Sequence, residues 1–137
     1  MNSTELTHIA APEGVAPGNG YSQVVTGTGR LVVISGQVAL DENGELVGAD
    51  DPDAQARRIF ENLGRCLAAA GATFDDVVKL TYFVTDIGQL PALRAARDAH
   101  VDTARPPASS AVRVAGLFRP DVLMEVEALA LTGRSDG

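Results

Sequence analysis

The stretch Arg105-Pro-Pro-Ala-Ser-Ser-Ala-Val-Arg-Val-Ala-Gly-Leu-Phe-Arg-Pro-Asp-Val-Leu-Met-Glu-Val-Glu-Ala-Leu-Ala130 decides how the chain folds. Two β-rich runs, residues 108–115 and 123–132, flank the turn-forming Phe118-Arg-Pro-Asp121. In the second run Met124, Val126, Ala128 and Ala130 alternate with Leu123, Glu125, Glu127, Leu129 and Leu131. A strand throws successive side chains to opposite faces, so both faces of this one carry apolar groups. Helices packed on one face leave the other bare, and a second copy of the chain is the simplest cover.

Upstream, the turn and cap signals divide the rest of the chain. Residues 1–19, punctuated by Pro12, Gly14, Pro17 and Gly18, read as a short leading strand or an irregular arm. Residues 20–26 and 30–36 are β-rich and lie around Gly27-Thr-Gly29, the pattern of a hairpin. The second of these runs extends toward Leu40 before Asp41-Glu-Asn-Gly44 turns the chain. Asp51-Pro52 has the form of a helix N-cap followed by proline in the first turn, and Gly71 that of a left-handed C-terminal cap. Between them Ala56, Ile59, Phe60, Leu63, Leu67 and Ala70 recur at helical spacing and mark a buried face. Residues 77–85 form a further strand, and Asp86 is placed to cap a second helix over about 87–101, with Pro91 in its first turn and a thin stripe of Leu90, Leu93 and Val101. The order strand, strand, helix, strand, helix, strand, strand predicts an α+β domain with two helices on one face of a mixed β-sheet.

At 137 residues and 45% hydrophobic content the chain suits one domain, spanning 1–137. Eleven basic residues against 18 acidic ones give a formal net charge of -7, and the basic residues form no run. That pattern argues against nucleic acid as a partner, because phosphate neutralisation needs a concentrated basic surface. A single cysteine, Cys66, permits no intrachain disulfide, and His8 and His100 lie in unrelated contexts, so no metal site is expected. The first eight residues, Met1-Asn-Ser-Thr-Glu-Leu-Thr-His8, lack the basic and apolar regions of a signal peptide, and no run has membrane-spanning length. A soluble cytoplasmic protein with no membrane partner is the expectation.

Several spaced motifs then point one way. Tyr21-Ser-Gln23, Ser35-Gly-Gln37, Glu61-Asn-Leu63, Ala70-Gly71 leading to Val77-Val-Lys79, the Pro107-Ala-Ser-Ser110 run and Glu125-Val-Glu-Ala128 fall in the order found in one family. Over nearly its whole length the chain resembles the RidA (YjgF) family of reactive-intermediate deaminases. The resemblance implies a chorismate-mutase-like α+β fold, a homotrimer and a small-molecule ligand in a cleft between subunits. It also implies hydrolysis of the C=N bond of an imine or enamine, with no metal or organic cofactor.

Such chemistry needs a carboxylate to orient or deprotonate water and a cation to anchor the substrate's own carboxylate. By resemblance, Glu125 is the water-positioning carboxylate, Tyr21 lines the cleft, and backbone groups around Ser35 and Gly36 contact the ligand. The family's carboxylate-binding arginine is replaced by Ser109, and the cysteine common two residues later by Ala111. A serine hydroxyl cannot reproduce the two charge-assisted bonds of a guanidinium fork. A free 2-imino acid is therefore expected to be a poor substrate unless Arg94, Arg105 or Arg113 compensates; Arg97 is a further candidate. Gly20 also stands where relatives typically carry proline. A trimer that binds or senses a small metabolite without catalysis is the alternative, and an endoribonuclease activity, also described in the family, fits the acidic balance least.

Overall fold

The computed structural model describes residues 5–133, so residues 1–4, which open the reading of the N-terminus, and 134–137 lie outside the described part. Strands β1 (Thr7–Ile9), β2 (Val24–Thr26) and β3 (Arg30–Gln37) come first, followed by helix α1 (Pro52–Ala69) and strand β4 (Val77–Val84). Helix α2 (Leu90–Asp98) and strands β5 (Ala108–Arg113) and β6 (Met124–Thr132) complete the chain. The main sheet has the order β3-β6-β4-β5. Its β3–β6 and β6–β4 pairs are antiparallel and its β4–β5 pair is parallel, which makes the sheet mixed as the element order predicts.

Helix α1 forms where its caps require. Asp51 accepts a hydrogen bond from the Ala54 amide at 3.1 Å, and Pro52 follows at the first turn, where no amide is needed. At the other end Gly71 has φ 75°, and the Ala72 and Gly71 amides donate to Leu67 and Ala68 oxygens at 2.9 and 3.0 Å, a Schellman closure. Ile59, Phe60, Leu63 and Leu67 are buried together with Ile34, Leu80, Val84, Met124 and Val126 of the sheet. Gln55 joins this packed layer as a fully buried amide. It donates to the Gly48 and Asp121 oxygens at 3.0 and 3.2 Å and accepts from the Leu123 amide at 3.1 Å, so its hydrogen-bonding capacity is used and two loops are tied to the helix.

Three expectations are corrected. The runs around Gly27-Thr-Gly29 do not form a hairpin: β2 pairs antiparallel with β1, while β3 crosses to pair with β6. The turn signal was local, and the longer apolar strand β6 offers β3 a larger buried ladder than the three-residue β2. Strand β3 also stops at Gln37, with a register shift between Ile34 and Gln37, and Leu40 joins Leu46 in an isolated bridge across the Asp41–Gly44 turn. Finally, Asp86 caps a 310 turn over Ile87–Gln89, not a long helix, and α2 ends at Asp98, short of Val101.

The face of the sheet away from the helices is open, as the alternation in β6 predicts. Leu31 is 59% exposed, Val33 69% and Leu129 38%, whereas Met124, Val126, Ala128 and Ala130 on the other face are buried.

Candidate active site

The register of the sheet sorts the candidate residues onto two faces. Ser109 and Ala111 pair with Leu80 and Tyr82 in β4, both buried on the helix side. Glu125 pairs with Phe83, one step out of phase, and so projects from the open face. One chain therefore carries the site as two separate groups.

The first group surrounds Glu125. The register shift in β3 bends the strand at Ser35 and Gly36, and a Cβ at Gly36 would overlap the Glu125 side chain, coming to 2.8 Å of Cγ. Glycine is required here because the carboxylate lies against the backbone. Burial raises the Glu125 carboxyl above its ordinary range, and the like charge of Glu127 on the same face raises it further. Beside Gly36 a cleft of about 460 Å³ continues past Val38 to Arg58 and Asn62 of α1. Asn62 donates to the Val38 and Leu40 oxygens at 3.2 and 3.0 Å, which holds the segment after β3 in place.

The second group lies at the β5 edge. A cavity of about 200 Å³ is lined by Tyr21, Tyr82, Arg94, Arg97, Ser109 and Ala111, among others. Tyr21 is placed by its neighbour: the buried Ser22 hydroxyl donates to the Pro106 oxygen at 2.6 Å and its amide to the Pro107 oxygen at 3.2 Å. Ser22 also bridges in parallel to Ala108, so the loop and the start of β5 move as one. The two remaining arginines lie elsewhere. Arg105 donates through Nη2 to the Leu6 oxygen at 2.7 Å and fastens the N-terminal arm. Arg113 is exposed at the end of β5, on the Ser109 side but outside the cavity lining.

This cavity brings in Arg97, the further candidate of the sequence, and Tyr82, which the sequence does not single out. Arg97 follows Leu93 at i+4 on the inward stripe of α2, and a charged residue on a buried stripe was the available signal. Tyr82 read simply as one residue of an apolar strand. Both are nearly inaccessible, at 6% and 4% exposure. Among the described residues no group of three or more His, Cys, Asp or Glu side chains is arranged to hold a metal ion.

Candidate residues thus line two clefts on a mixed sheet, and comparison with known proteins shows the family of the chain. The Endoribonuclease L-PSP family model matches residues 10–132, and the chain belongs to that family, also called YjgF/RidA/RutC. It is 38% identical to a 2-iminobutanoate/2-iminopropanoate deaminase of Salmonella typhimurium, over 96% of this chain and 98% of the relative. It is 33% identical to the 3-aminoacrylate deaminase RutC of Acinetobacter baylyi, over 89% and 95% of the two chains. Among solved structures, a Rid family protein of unknown function from Yersinia pestis superposes with a TM-score of 0.82 at 37% identity, covering 94% of this chain and 98% of that one. The RidA/YjgF fold expected from the motifs is thus the fold of the chain.

Proposed function

We propose that the protein is a hydrolytic deaminase acting on the C=N bond of a small imine or enamine, with Glu125 as the general base and the substrate anchored by groups other than residue 109. The observation that carries this reading is the Glu125 carboxylate, laid against Gly36 and raised by burial and by Glu127. A carboxyl whose pKa is raised is, in its ionised form, a stronger base toward water than an ordinary glutamate. Water adds to the imine carbon and gives a proton to Glu125; the C–O bond forms as the C=N π pair moves to nitrogen. The same carboxyl returns that proton to nitrogen to give a carbinolamine, then takes the hydroxyl proton and passes it to nitrogen as well, so that the C=O bond forms while the C–N bond breaks and ammonia leaves. Backbone groups around Ser35 and Gly36 line this step.

The active unit in this reading is a homotrimer. Leu31, Val33 and Leu129 form an apolar face that a neighbouring copy would cover, and the division of the candidate residues between two sheet faces is met if Glu125 of one copy faces Tyr21 and Ser109 of the next. The relatives' names support imine chemistry. Endoribonuclease activity is the weaker reading for a chain of net charge -7. A binding or sensing role has one observation in its favour: the cavity at the β5 edge is formed within one chain without Glu125.

The test is a coupled assay in which an amino-acid oxidase generates imines in situ and their decay is followed with and without protein. Wild type should accelerate decay for at least one substrate of a panel, and Glu125→Gln should lose about 100-fold or more with its circular dichroism unchanged. Turnover retained in that variant would remove Glu125 from the mechanism, and no acceleration across the panel would leave the sensing role as the better reading.

A further inference from the structure

The cavity at the β5 edge contains a feature that structural packing does not explain. The Tyr82 hydroxyl is buried, and among the described residues no acceptor meets its proton. An unmet buried hydroxyl ordinarily costs about 1 to 3 kcal/mol, so such groups find partners in the folded chain or in a ligand. The Arg97 guanidinium acts on this hydroxyl through its charge and as a hydrogen-bond donor toward its oxygen, but a guanidinium can only donate. The phenolic proton must therefore look elsewhere, and the cavity it lines is the available direction. Burial, more than any charge, raises the phenol's pKa, which keeps that proton in place near neutrality.

The cations around it are fixed in unequal ways. Arg97 donates from Nε to the Asp98 carboxylate at 2.9 Å and pairs with it from Nη2 at 2.8 Å; Arg94 is exposed at the mouth of the same cavity. On the other side Gly20 closes over the guanidinium. A Cβ there would stand 3.1 Å from Arg97 Nη2, and Gly20 has φ 81°, which proline cannot adopt. The chain thus makes room for Arg97 with a glycine at 20, and room beside Tyr82 with the small side chains of Ser109 and Ala111. Two guanidiniums against the one carboxylate of Asp98 leave a net charge of about +1, which suits a monoanion better than a dianion.

We infer that Arg94, Arg97, the Tyr82 hydroxyl and the Ser109 hydroxyl form a binding site for the carboxylate of a small organic acid, with the acid's carbon chain directed toward Tyr21. The cavity, at about 200 Å³, is the size of a carboxylate and a few carbons. This deepens the deaminase reading by returning carboxylate-bearing imines to the substrate class, since the anchoring that Ser109 cannot supply comes from helix α2. The site is defined by binding, however, and stands or falls separately from turnover.

The experiment is equilibrium titration of the intact protein, by calorimetry and by amide chemical shifts, with butanoate, butanamide and inorganic phosphate. Butanoate should bind saturably, with shifts centred on residues 82, 94, 97 and 109, while butanamide should bind about tenfold or more weakly. Arg94→Gln and Tyr82→Phe should each weaken butanoate about tenfold. Tyr82→Phe should do so with its circular dichroism unchanged, because the ring keeps its buried packing and only the hydroxyl is removed. Arg119→Gln, which removes an exposed guanidinium outside the cavity, should bind butanoate as wild type does, which separates this site from general charge attraction. Equal binding of butanoate and butanamide, tighter binding of phosphate, no saturable binding of butanoate, or wild-type affinity in either Arg94→Gln or Tyr82→Phe would each overturn the assignment.

Discussion

Glu125 and Gly36 occupy each other's space: the carboxylate rests where residue 36 would carry its Cβ, 2.8 Å from Cγ and nearer still to the carboxyl group. Gly36→Ala should therefore push the carboxylate off its position while leaving the buried face of β3 and β6 intact. The expected result is a loss of about 10- to 100-fold in kcat with little change in thermal unfolding. A variant with wild-type kcat would show that the close approach has no part in catalysis.

The pH profile should report the pair Glu125 and Glu127. Burial is the larger cause of the raised Glu125 carboxyl and the Glu127 charge the smaller. Glu127→Gln removes only the smaller, so the acid limb of kcat/KM should move to lower pH without reaching the ordinary glutamate range. The linkage to stability has a definite sign. A carboxyl raised on folding stabilises the fold below its unfolded pKa, and that contribution is lost as pH rises through its folded pKa. At pH 7 Glu125→Gln should accordingly be at least as stable as wild type, as measured by urea unfolding.

Gln55 is a fully buried polar residue packed among the core side chains, and its removal should be felt throughout the domain. Gln55→Leu keeps the volume but strands the Leu123 amide and the Gly48 and Asp121 oxygens. Urea unfolding should show a loss of about 2 to 4 kcal/mol, read as a lower midpoint at unchanged slope. A loss below about 0.5 kcal/mol would mean that these groups find other partners.

Val33 is the most exposed large hydrophobic residue of the open face among the described residues, at 69%. Val33→Glu should leave the fold of the single chain intact and block its association. Light scattering coupled to size exclusion should give a trimer for wild type and a monomer for the variant at micromolar concentration. A wild-type monomer would remove the assembly and the intersubunit cleft with it.

Much of this architecture is legible in local sequence because its signals are local. The Asp51-Pro52 start and the Gly71 stop of α1 depend on residues within one turn of each end, and the alternation in β6 depends only on strand geometry. The partner of β2 is not legible, because the Gly27-Thr-Gly29 signal says that the chain turns without saying which strand waits beyond. The candidate site divides in the same way. The Glu125 and Tyr21 motifs stand out in the sequence, whereas the Tyr82 hydroxyl becomes informative only when packing shows that, among the described residues, no acceptor meets its proton.

The phase difference between Ser109 and Glu125 in the β5-β4-β6 ladder has a genetic consequence. If one turnover draws on both residues, each must come from a different copy, and defects at the two places are not equivalent alleles of a single site. Chains carrying Glu125→Gln and chains carrying Arg94→Gln, each impaired alone, would regain part of their activity when unfolded together and refolded as mixed assemblies. Within such an assembly some clefts would receive two intact halves, and others would receive both defects at once.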